Sequence, residues 1–108
     1  MKSKDFVEGI KNQLLAPNVA SYRSIYENPR KVTEEVLLFQ SLTNEQKEVF
    51  FKIVRQVQID TIATFLSLLD GAIVLEDQRD DFRLVCLDEP SEILNRNLTD
   101  EFLNTMNE

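Results

Sequence analysis

Six carboxylates fall within fourteen residues of the C-terminal third: Glu76, Asp77, Asp80, Asp81, Asp88 and Glu89. Oxygen at that density first suggests a calcium loop. Such a loop needs ligands at alternate positions, a glycine at the sixth and a glutamate at the twelfth, and this spacing has none of these. The carboxylates therefore read as a solvated acidic surface and as candidate partner-binding residues. Glu34 and Glu35 invite an acid/base reading, but adjacent residues on a helix diverge by about 100° and do not face one another. Cys86 sits among apolar neighbours, and the chain has no histidine to activate it, so it reads as a structural thiol. Asp60 falls on the polar side of a long helical segment and reads as solvated.

The chemistry that is missing is equally informative. The sequence has no histidine, no glycine-rich phosphate loop, no nucleophile elbow and no cysteine pair. Catalysis by carboxylates alone needs two of them across a cleft, which a domain this small rarely builds. The expectation is a protein that is not an enzyme, with no cofactor and no metal.

The net charge of −7 is unevenly distributed. Residues 1–75 hold nine acidic and nine basic side chains, whereas residues 76–108 hold ten and three. The resulting field repels nucleic acid and anionic membranes and attracts basic partners. The leading expectation is a non-enzymatic protein–protein interaction domain that docks a basic partner. At the level of class, it resembles the small acidic, bacterial inhibitor or immunity proteins that neutralise a basic toxin. A second reading is a structural or adaptor subunit, homodimeric through the apolar face of its long helix. A third is a small apolar-ligand-binding domain. No apolar run reaches the roughly 20 residues of a membrane span and the N-terminus has no secretory apolar stretch, so a cytoplasmic location is expected.

These residues must be positioned by a mainly α (α+β) fold, a single domain over 1–108. Four to five helices are expected around one long helix at about 43–70, with a β-hairpin at about 72–87. Thr43 and Gln46 match a capping box, Gly71 is a stop signal, and no glycine or proline interrupts the run between them. Phe50, Val54, Val57, Thr61, Phe65 and Leu68 recur at a 3.6-residue period and are expected to face the core. That places Phe65→Ala at a cost of about 3–5 kcal/mol. Beyond Ile59 apolar residues spread around the helix, and Ile59, Ala63 and Leu66 are the alternative: an exposed dimer patch.

The flanking segments predict shorter elements. A first helix over Ser3–Leu15, capped by Ser3, turns Phe6, Ile10 and Leu14 inward and is ended by Pro17. A second spans Asn18–Glu27 and a third Lys31–Ser41. Ala72–Leu75 and Phe82–Leu87 are rich in strand formers around a turn-like Glu76–Asp81, and an unpaired edge there offers a sheet-extension dimer. Thr99 is expected to cap a short last helix that turns Phe102 and Met106 inward, with Leu98 and Leu103 as its hydrophobic staple.

Overall fold

A computed structural model describes residues 1–107. The first rod is assembled from α1 (Ser3–Ile10), a π turn (Lys11–Leu15) and α2 (Ala16–Glu27). It is followed by α3 (Glu34–Gln40), the long α4 (Asn44–Asp70) and α5 (Leu98–Thr105). Among the described residues this gives four separate helical rods and no β-strand.

The long helix begins and ends as its residue types dictate. The Thr43 hydroxyl accepts from the Gln46 N–H at 3.1 Å, and the Gln46 side chain accepts from the Thr43 N–H at 2.9 Å. Gly71 takes φ 89°, a left-handed conformation that suits glycine. From there the Gly71 and Ala72 N–H groups turn back onto the Leu68 and Ser67 carbonyls at 3.3 and 2.9 Å. α3 starts later than expected because the Thr33 hydroxyl caps it, accepting from the Val36 N–H at 3.2 Å.

Pro17 does not end the first helix. Proline lacks an N–H and its ring crowds the carbonyl four residues back. The preceding turn widens instead, so that the Ala16 N–H reaches the Lys11 carbonyl, five residues away. The extra residue rotates everything downstream, and Leu15 is buried while Leu14 is exposed. Ser3 does not cap this rod either. Asp5 accepts from the Lys2 N–H, and the Ser3 hydroxyl donates to Glu101 at 2.9 Å, tying α1 to α5.

The main core joins Val7, Ile10 and Leu15 of the first rod to Ile59 and Leu66 of α4 and Leu98 and Phe102 of α5. A second apolar cluster forms where α2, α3 and the start of α4 meet. There Tyr26, Phe39, Phe50 and Phe51 lie with ring centroids 4.8–5.5 Å apart. Two clusters strung along one helix make an elongated molecule of 52 × 32 × 25 Å. Its radius of gyration is 17.5 Å, against about 13 Å for a compact domain of about 100 residues.

The hairpin at 72–87 is not formed. Among the described residues the only strand-like contact is an isolated bridge between Cys86 and Glu89. The backbone groups that would pair the two segments are engaged elsewhere. The Ile73 N–H goes to the Ser67 carbonyl, and the Leu84 carbonyl accepts from the Leu94 N–H at 2.9 Å. The buried Asn95 side chain takes two more, and a carbonyl of α4 besides. Its Oδ1 accepts from the Leu84 N–H at 2.6 Å, and its Nδ2 donates to the Leu69 and Phe82 carbonyls at 2.6 and 2.7 Å. One amide thus replaces a strand partner and also satisfies a helix-end carbonyl of α4 that has no intrahelical donor. Without strands, the sheet-extension dimer falls.

Thr99 does not cap α5. The carboxylate of Asp70, the last residue of α4, accepts from the Thr99 N–H at 3.0 Å and puts negative charge at that helix start. The Thr99 hydroxyl lies 2.9 Å from the Ser67 hydroxyl, inside the α4–α5 contact. At the other end of α5, Lys11 Nζ donates to the Thr105 carbonyl at 2.8 Å, a cation placed against helix-end oxygen.

Candidate interaction surface

α4 carries two apolar faces, and the molecule covers one of them. The covered face holds Phe51, Ile59 and Leu66, with Ala63 packed at its edge. Ile59 and Leu66 are therefore core residues, not an exposed dimer patch. The expected inward stripe is the one left outside. Val57 and Phe65 are 57% and 58% exposed, Thr61 is exposed, and only Phe50, Val54 and Leu68 gain partial cover. The physical reason lies in the packing. Successive residues diverge by about 100°, so Leu66, one position beyond Phe65, is aimed well away from it. α1 and α5 approach on the Leu66 side. Val49 and Ile53, at 53% and 58% exposure, extend the open face toward the start of the helix.

The segment after Gly71 folds back along this face. Val57, Thr61, Phe65 and Leu68 of α4 and Ile73 and Leu75 of the segment line a groove of about 580 Å³ that is open to solvent. Asp60 and Thr64 complete its wall. Asp60 is exposed, as expected, and accepts from Gln56 Nε2 at 2.8 Å.

The acidic residues singled out in the sequence all lie in irregular, exposed chain. Glu76, Asp77, Asp80 and Asp81 surround a loop held by Gln78, whose Oε1 accepts from the Leu75 N–H and whose Nε2 donates to the Asp80 carbonyl. Asp88 and Glu89 sit in the next turn, before Pro90. Among the described residues, Glu89 alone of these six has an ion pair, 3.6 Å from the N-terminal ammonium. No three His, Cys, Asp or Glu side chains converge to hold a metal among the described residues. Cys86 is a free, half-buried thiol, and Glu34 and Glu35 point to solvent.

One charged group was not foreseen. Arg23 of α2 bonds both Glu48 oxygens at 3.1 and 3.2 Å and Glu27 at 2.9 Å, while its guanidinium lies 4.1 Å from the centre of the Phe51 ring. The Arg23 hydrogen bond holds the Glu48 carboxyl below the ordinary glutamate value, and the same bond raises Arg23. This cluster clamps α2 to the start of α4 and leaves the outer face of α4 clear. No helix among the described residues is long and apolar enough to cross a membrane.

No family model, no curated protein and no solved structure matches this chain.

Proposed function

We propose that this chain is a non-enzymatic protein–protein interaction subunit, an adaptor whose contact surface is the outer face of α4 with its groove. The observation that supports this reading is a second apolar stripe at four-residue spacing, Val49, Ile53, Val57 and Phe65, lying open on the side of α4 away from the core. Single exposed apolar residues are ordinary, but a contiguous apolar stripe on a protein surface marks an interaction site. A photo-cross-linking benzophenone side chain tests it. Placed at position 57 in the living source cell, it should give discrete protein adducts that Ile53→Asp abolishes, whereas the same group at the exposed position 12 should give none. Equal labelling at both positions overturns the reading.

A second reading is favoured by a different observation. Among the described residues, five of the six exposed carboxylates have no ion pair, so the acidic segment is free to dock a basic partner, as an inhibitor of the immunity type would. Association steered by such charge slows steeply as salt rises, and reversing Asp77, Asp80 and Asp81 to lysine should slow it further. An association rate unchanged by salt removes this reading.

A further inference from the structure

We propose that the occupant of the outer α4 face is a second copy of this chain, docked antiparallel about a twofold axis near Val57. The proposal rests on the interaction-subunit reading above and names its partner.

Four features carry it. The first is register. From Val49 to Phe65 the stripe extends eight residues to either side of Val57, about 24 Å in all at 1.5 Å per residue. A twofold axis at Val57 lays Val57 against its own copy and Ile53 against Thr61, with Val49 and Phe65 at the flanks of the contact, because each four-residue step turns about 40° round the helix. Bulky side chains then meet a small one or each other end to end, and the same patch serves both partners, as an isologous contact requires. The second is charge. Between Val49 and Leu68 this face presents one ionised group, Asp60, and the axis keeps the two Asp60 carboxylates about 9 Å apart along the helices. An apolar face with so little charge has nothing to select a strongly charged partner. Antiparallel order also sets each helix start beside the other's end, so the macrodipoles attract.

The third feature is area. Val49, Ile53, Val57, Phe65, Ile73 and Leu75 are each about half exposed. A full Val, Leu, Ile or Phe side chain represents roughly 60–120 Å² of apolar surface at about 25 cal/mol per Å². Six half-exposed side chains on each copy thus bury on the order of 400–700 Å² of apolar area in the pair. With the usual polar share, that corresponds to roughly 1,000 Å² in total, near the threshold for a specific interface. Self-association in the micromolar range is the expected consequence. The fourth feature is shape. A helix with two apolar faces belongs between two layers, and this elongated monomer supplies only one of them. A second copy supplies the other.

The test uses the purified chain in sedimentation equilibrium from about 1 to 200 μM, a range chosen around that affinity. The mass should rise from 12.6 kDa to twice that value. Val57→Asp puts two facing carboxylates on the axis and should weaken association at least 100-fold, with helix content and the melting of the dilute protein retained. Leu103→Asp, an exposed apolar residue on α5, should leave the dimer intact and so control for a general gain in charge. A chain that stays at 12.6 kDa at 200 μM, or a dimer indifferent to Val57→Asp, overturns the proposal. If the benzophenone at position 57 then still captures a different protein in the cell, self-pairing alone has failed. Loss of both signals removes the interaction surface altogether.

Discussion

Asn95 is 7% exposed, and its side chain hydrogen-bonds the irregular segment to the end of α4. Replacing it with leucine keeps a similar volume, so little cavity is created, and removes all three of its hydrogen bonds. The Leu84 N–H and the Leu69 and Phe82 carbonyls lose their partner at once. A buried polar group stripped of its partner costs about 1–3 kcal/mol. The two carbonyls retain a second lone pair, and the chain near Phe82 can open toward water, so the lower half of that range applies to each. The loss should come to about 3–6 kcal/mol, a large part of the roughly 5–15 kcal/mol that holds a small domain folded. Urea unfolding of Asn95→Leu should show a lower midpoint at an unchanged slope. Hydrogen exchange gives an independent readout, because the Leu84 amide should be protected in the parent and should lose that protection in the variant. Asn104→Ala, on the exposed side of α5, should leave both readouts unchanged. A loss below about 1 kcal/mol in Asn95→Leu, or an unprotected Leu84 amide in the parent, would refute the claim that this amide replaces a strand partner.

Two further outcomes follow from the packing. Leu66 is 1% exposed, so Leu66→Ala should cost about 3–5 kcal/mol, whereas Phe65→Ala should cost less than about 1 kcal/mol at concentrations low enough to keep the chain monomeric. Equal losses would return the Phe65 stripe to the core. Because Arg23 holds the Glu48 carboxyl below the ordinary glutamate value, its contribution is complete above that value and is lost as pH falls through the lowered one. Glu48→Gln should flatten that part of the acid limb of the stability–pH curve, and a curve unchanged by the substitution would dismiss the clamp.

Much of the molecule was legible from residue types because it depends on local chemistry. The long helix carries its own punctuation, with Thr43 and Gln46 exchanging bonds at one end and Gly71 turning left-handed at the other, and no distant residue is needed for either. The apolar stripe through Val57 and Phe65 was equally readable as a period. What periodicity cannot convey is which of two apolar faces the rest of the chain covers. That depends on where α1 and α5 arrive, and their arrival is set by contacts distant in sequence, such as Ser3 with Glu101 and Asp70 with the Thr99 N–H. Pro17 was misread for a related reason. A proline forbids one hydrogen bond, and whether the chain breaks or widens into a π turn depends on the packing held by Leu15. The hairpin failed because strand propensity describes a side chain's fit to a sheet and supplies no partner strand. In the folded chain the backbone of Leu84 is claimed by Leu94 and Asn95, a pairing no local pattern announces. Local rules therefore determined the long helix and the apolar faces it offers. Only tertiary structure decided which face is buried and which is left open, because burial is shared between segments and belongs to neither alone.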